Sequence, residues 1–168
     1  MDIKIRTALI SVYSKDRIAE IAQLLLDHGI KILSTGGTYD YLQKQGLDVT
    51  SVESVTGYPS IFGGRVKTLH PKIMGGILYR REDPSDIQEL KRYEVPPVDL
   101  VIVDLYPFEE TVATTKDEAE IIEKIDIGGI SLIRAAAKNF NDVLIIPSAA
   151  HYSKLIELLS DKKGITSI

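Results

Sequence analysis

Two rhythms of apolar residues alternate along the chain. Residues 5–12, IRTALISV, are an almost continuous apolar run, the pattern of a strand covered on both faces. Residues 16–29, DRIAEIAQLLLDHG, repeat Ile18, Ile21, Ala22 and Leu25 at helical spacing and stop at Gly29. The alternation then recurs. The pattern predicts strands over 31–35, 48–52, 98–106 and 142–147. It predicts helices over 39–46, 84–93, 115–125, 128–140 and 150–161, with a further one opened by Pro71. Thr115, followed three residues later by Glu118, has the form of a capping box. Strand and helix in strict succession are the signature of a parallel sheet with helices on both faces. Five parallel strands in one domain spanning 1–168 are expected, with no repeat and no linker.

Composition narrows the picture. The 168 residues hold no Cys, so neither a disulfide framework nor a Cys-based metal site is available, and a cytoplasmic location is expected. Lys4 and Arg6 interrupt the first apolar run, which therefore reads as a strand rather than a signal peptide. No apolar stretch approaches the ~18 residues of a membrane helix. The net charge of -4 argues against nucleic acid as a partner.

Against that acidic background one segment stands out. Nothing between Glu53 and Glu82 is acidic, yet Arg65, Lys67, Lys72, Arg80 and Arg81 lie inside the gap, three of them in GGRVKTLHPKIMGG. Clustering of one sign points to an anionic partner, here a small one. The polar strand ends agree with it. In open parallel sheets ligands bind beyond the carboxyl ends of the strands, which here read SVYSK, STGGT and DLYPF. STGGT suits a phosphate cradle at a helix N-terminus, or a plain turn with Thr38 as cap. SVYSK adds Ser11, Ser14 and Lys15 from the neighbouring strand, which favours a shared phosphate pocket. The spacing matches neither the Walker nor the dinucleotide fingerprint. His70, before Pro71, reads as a local hydrogen-bonding residue. The tyrosines of VYS and LYPF suit either a planar ligand or the core. Arg134 and Lys138 share one face of a helix that opens at IDIGG.

Taken in order, LISV, STGGT, TGYP, GGRVKTLHPKIMGGIL, DLYPFEET and IDIGGISLIRAAAKN resemble the inosine monophosphate cyclohydrolase family, the domain carried by bifunctional purine-biosynthesis proteins. The resemblance covers about residues 7–152. It implies a methylglyoxal-synthase-like fold, α/β, with a Rossmann-like parallel sheet. The implied reaction closes 5-formamidoimidazole-4-carboxamide ribotide to inosine monophosphate (IMP) with loss of water, and calls for no metal or cofactor. Substrate-binding positions fall on Ser11, Tyr13, Ser14 and Lys15, then on Thr35, Gly36, Gly37 and Thr38, and on Arg65, Val66, Lys67 and Thr68. Val103, Asp104, Asp126, Ile127 and Gly128 would meet the ring. Catalysis would rest on Lys67, Tyr106, Asp126 and a proton-shuttling Lys138, whose pKa burial and neighbouring cations would depress. The chain departs from the family pattern at Tyr13, Asp104 and Met74, where Ser, Asn and His are usual. A homodimer and an attached formyltransferase domain belong to the same expectation, with this chain as the N-terminal part. The rivals are methylglyoxal synthase and a regulatory nucleotide-binding module like that of carbamoyl phosphate synthetase.

Overall fold

A computed structural model describes residues 2–162 and 165–167. Its central feature is a parallel sheet of five strands: Thr7–Val12 (β2), Lys31–Ser34 (β3), Thr50–Ser51 (β4), Leu100–Asp104 (β5) and Leu144–Ile146 (β6). The order across the sheet is β4-β3-β2-β5-β6. A separate antiparallel pair, Asp2–Lys4 (β1) with Ile165–Ser167 (β7), was not expected from the pattern. The helices are Ile18–Asp27 (α1), Gly36–Lys44 (α2), Val52–Thr56 (α3), Pro71–Leu78 (α4), Pro84–Arg92 (α5), Phe108–Thr114 (α6), Glu118–Glu123 (α7), Gly128–Lys138 (α8) and Tyr152–Lys162 (α9).

The two-residue period of the strands divides the core in two. Ala8, Ile10 and Val12 of β2, with Leu100 and Ile102 of β5, face Ile18, Ile21 and Leu25 of α1 and Leu155 and Leu159 of α9. Leu9, Val101 and Val103 face the other way, onto Ile73 and Ile77 of α4 and Leu132, Ala135 and Ala136 of α8. Both faces of the sheet are thus covered by helices, which explains the nearly unbroken apolar runs.

At the start of β2 a single carboxylate ties the layers together. Asp99 accepts the backbone N–H of Arg6 at 2.9 Å and of Thr7 at 3.1 Å, and pairs with Arg81 at 3.0 Å. Arg81 also donates to the carbonyl of Val98 and stacks on Tyr79. Arg80 binds Asp83 and Asp86 at the start of α5, and its hydrogen bond holds the Asp86 carboxyl down at about 2. Two of the five cations in the acid-free gap therefore serve the fold, with acids supplied from outside the gap.

Local chemistry moves several boundaries. The predicted strand over 48–52 shrinks to Thr50–Ser51, because Ser51 caps α3 by accepting the N–H of Ser54 at 3.0 Å. The helix over 39–46 begins earlier, at Gly36. The capping box at Thr115 does not form. Asp117 is the cap of α7, accepting the N–H groups of Ala119 and Glu120, and Thr115 only turns the chain before it. His70 behaves as a local residue, capping α4 through the N–H of Lys72 at 3.1 Å.

Candidate functional site

Where the sheet order reverses, between β2 and β5, the chain leaves the two strands in opposite directions and opens a crevice. The register pairs Val12 with Asp104, so SVYSK and DLYPF emerge side by side. A cleft of about 530 Å³ lies there. It is bounded by these two strand ends, the start of α2, the loop 63–68, the end of α7 and the start of α8.

The floor is fixed by polar ties. The Asp104 carboxylate accepts the N–H of Ser14 at 2.9 Å, and its carbonyl accepts that of Tyr13 at 3.1 Å. Thr38 Oγ1 accepts the N–H of Val12 at 3.1 Å and donates to its carbonyl at 2.9 Å, so this buried hydroxyl joins α2 to β2. It is neither the helix cap nor free to bind a phosphate oxygen.

One wall is the N-terminus of α2, left open by the sequence. Thr35 holds the cap position, but its hydroxyl donates to Glu53 at 2.8 Å, and no side chain caps the helix. Helices α3, α4, α5 and α7 all begin with a side-chain cap, by contrast. Unsatisfied N–H groups and the positive dipole end therefore face the cleft. Gly36 takes φ +53°, and a methyl group there would lie 2.7 Å from Lys67 Nζ. The ammonium thus rests directly on the glycine turn. Lys15 stands nearby, its Nζ donating to the carbonyls of Val12 at 2.5 Å and Tyr13 at 3.0 Å. Its pKa lies below the usual lysine value: burial lowers it most, Asp104 opposes, and Lys67 lowers it further. An open helix end with two lysines concentrates positive potential, the chemistry that suits an anion.

At the opposite wall, the start of α8 is already filled. Asp126 accepts the N–H of Gly129 at 2.6 Å, and a methyl group at Gly129 would collide with Leu105 and with that carboxylate. Thr68 touches Gly128 closely enough that a methyl group there would lie 3.0 Å from its hydroxyl. Arg65 reaches across to Glu123. Tyr13 and Tyr106 stand at the rim, half exposed, edge to face with centroids 5.4 Å apart. They pack on each other, not in the core.

Of the residues expected at the site, Ser11, Tyr13, Lys15, Thr35, Gly37, Thr38, Arg65, Lys67, Thr68, Asp104, Tyr106, Asp126, Ile127 and Gly128 line the cleft. Gly36 lies beneath Lys67. Three others do not line it. Ser14 turns the chain by accepting the N–H of Asp16, Val66 braces the loop against Ile61, and Val103 is core. Lys138 is also elsewhere: it is the exposed last residue of α8, ten residues and about 15 Å along the helix from Gly128. The burial expected for it is not found. Val12, Gly63, Gly64, Ile122, Glu123, Ile125 and Gly129 line the cleft without having been expected. The glycine bracket was visible in the sequence; Ile122 to Ile125 looked like the end of an ordinary amphipathic helix.

An open parallel sheet with a crevice at its switch point defines an α/β domain of the Rossmann-like class, and the chain belongs to the MGS-like domain family, whose profile matches residues 17–131. Over 98% of its length it is 57% identical to the bifunctional purine biosynthesis protein PurH of Bacteroides thetaiotaomicron. It is 47% identical to PurH of Clostridium kluyveri over 95% of its length and of Persephonella marina over 97%. The chain spans about a third, 32%, of the length of each of these relatives. Among solved structures, that of ForH is similar at a TM-score of 0.79 and 37% identity, covering 94% of this chain and 80% of that one.

Proposed function

We propose that this cleft binds a purine ribotide and closes 5-formamidoimidazole-4-carboxamide ribotide to IMP in purine biosynthesis. The observation that carries the reading is the uncapped α2 N-terminus with Lys15 and Lys67, in one cleft with Tyr106 and Asp126. The PurH relatives are bifunctional purine-biosynthesis proteins by name, which supports the same substrate class.

In this reading the phosphate sits against the backbone of residues 36–38 and Lys15. The carboxamide nitrogen attacks the formyl carbon within the same molecule, so holding the two groups in contact supplies much of the acceleration. The carbonyl oxygen gains negative charge as the C–N bond forms, and the Lys67 ammonium stabilises it. Asp126 keeps one oxygen on Gly129 N–H; its other oxygen, with no hydrogen bond among the described residues, accepts the nitrogen's proton. The Tyr106 hydroxyl protonates the resulting oxyanion. The new hydroxyl then leaves as water on taking the proton held by Asp126, while the formamido nitrogen gives its proton to the Tyr106 phenolate as its C=N bond forms. The balance is closed: the formyl C=O double bond is exchanged for one C–N single bond and one C=N double-bond component. The two protons of the water come from the carboxamide and formamido nitrogens, both side chains return to their starting states, and no electrons are exchanged with an outside partner. Metal and cofactor are not called for.

Lys138 has no part in this scheme within one chain. A shuttle role for it requires the proposed homodimer, in which a second copy brings it to the cleft. The formyltransferase domain of a longer, cytoplasmic protein would supply the substrate.

Ring closure followed by ultraviolet absorbance tests the proposal. Turnover by the wild-type chain, lowered ~10²-fold or more in Lys67→Met, is expected, the scale of losing one oxyanion donor. A chain that binds IMP without turnover is a regulatory module, and one that releases phosphate from a triose phosphate is a methylglyoxal synthase.

A further inference from the structure

Lys124 lies outside the cleft, yet everything around it belongs there. It is the first residue of the link from α7 to α8, half-buried behind the rim. Its ammonium lies 5.5 Å from the ring centroid of Tyr13 and 5.7 Å from that of Tyr106. Those two rings are themselves edge to face, at 67° between planes. The three side chains come from three different segments: the loop after β2, the loop after β5 and the link into α8.

Tyr13 and Tyr106 are 46% and 43% exposed, too open for packing alone to fix their rings. Tyrosine rotates freely about two side-chain bonds unless something selects a rotamer. An edge-to-face contact selects relative orientation, because the positive ring edge seeks the negative face. A cation within about 6 Å of both faces adds a second restraint on each ring. The link itself needs such a restraint. From Phe108 to Ile130 only Thr111 is buried, and neither core cluster draws a buried residue from this stretch. Yet the stretch carries Ile122, Glu123, Ile125, Asp126 and Ile127 into the cleft.

We infer that Lys124 is a positioning residue: its ammonium, held between Tyr13 and Tyr106, fixes the Tyr106 ring at the cleft rim and seats the α7–α8 link that delivers Asp126. Tyr13 is the second half of the device. The inference rests on the proposed reaction for its kinetic consequence, while its geometry stands apart from it.

The experiment separates the two. The chain has eight tyrosines and no tryptophan, so ring-labelled tyrosine NMR is readable, with Tyr13→Phe and Tyr106→Phe giving the assignments. Lys124→Met should move the Tyr13 and Tyr106 resonances and leave the other six in place; Lys124→Arg should keep the wild-type pattern. In ring closure, Lys124→Met should lower turnover roughly tenfold with little change in KM, since a misplaced reacting group costs rate rather than binding. Lys124→Arg should restore it. Unmoved resonances in Lys124→Met overturn the inference, as do moved resonances with wild-type turnover. A wild-type chain that closes no ring removes the proposed function instead, and the tyrosine spectra then decide the positioning role alone.

Discussion

Gly36→Ala should separate backbone strain from active-site geometry. Gly36 has φ +53° at the start of α2, and the added methyl group would stand 2.7 Å from Lys67 Nζ with nothing else closer than 3.8 Å. An L-residue in the left-handed region costs about 1–2 kcal/mol. The contact itself is relieved cheaply, because the ammonium is the far end of a flexible side chain. To reach ordinary contact at 3.4 Å or more from 2.7 Å, Nζ must retreat by about 0.7 Å or more. A shift approaching ~1 Å at a reacting group can lower the rate by up to ~10²-fold. Gly46→Ala is the control. Gly46, two residues past the end of α2, has φ +76°, and its methyl group would meet nothing within 4 Å. Denaturant melts should show both variants less stable by about 1–2 kcal/mol. Ring-closure assays on folded protein should show Gly46→Ala near wild type and Gly36→Ala slower by 10- to 10²-fold. Equal turnover in the two variants would refute the placement of Lys67 on the glycine turn.

Two further outcomes follow from other ties. Asp99→Ala removes one partner of a largely buried pair and strands Arg81 and the N–H groups of Arg6 and Thr7, so it should cost about 3–5 kcal/mol in a denaturant melt; a loss under 1 kcal/mol would show the tie to be idle. Lys15 has a folded pKa below its ordinary 10.5, so the unfolded chain holds more protons between the two values and stability should rise with pH through that alkaline window. A bound phosphate favours the ammonium, so ligand binding there should take up protons. Calorimetry in buffers of different ionisation enthalpy measures this, and an uptake that persists in Lys15→Met would assign it to another group.

The pattern carried the frame of the fold because it arises from burial on both faces. The runs 5–12 and 98–106 are apolar for that reason, and the five-stranded sheet with helices on each side follows. What the pattern missed was decided by single hydroxyls and carboxylates. Ser51 ends a strand by capping a helix, and Asp117 rather than Thr115 starts α7. At the site, residues at strand ends were legible, since the strand order brings those ends together. Lys138 was not, because its place in one chain depends on helix length: eleven residues of α8 carry it away from the end that meets the cleft. Arg80 and Arg81 show the same limit. Local charge marked them with Lys67, yet their acids, Asp83, Asp86 and Asp99, come from beyond the acid-free gap.

The two helix ends at the cleft are treated oppositely, and that asymmetry gives the site its direction. Thr35 holds the cap position of α2, and Asp126 stands two residues before the first residue of α8. Thr35 spends its hydroxyl on Glu53, so the α2 end stays open, and Lys15 and Lys67 reinforce its positive potential. Asp126 turns back onto Gly129, so the α8 end is neutralised and holds a carboxylate at the cleft. An anion entering the crevice is drawn to α2 and repelled by Asp126, which leaves the uncharged part of the same ligand against the carboxylate and Tyr106. Lys67 is held at the α2 pole on a loop braced by the Ile61–Val66 bridge and by Thr68 against Gly128. Exchanging Thr35 for Asp should therefore do more than remove a hydroxyl. It would place a negative charge beside the proposed phosphate position and weaken nucleotide binding. By losing the hydrogen bond to Glu53 and setting a second carboxylate against it in a buried position, it should also destabilise the fold by about 1–3 kcal/mol despite the helix cap it offers. Calorimetry against a denaturant melt reads both effects. A Thr35→Asp chain that binds a nucleoside monophosphate as tightly as wild type would mean that the phosphate does not sit at α2.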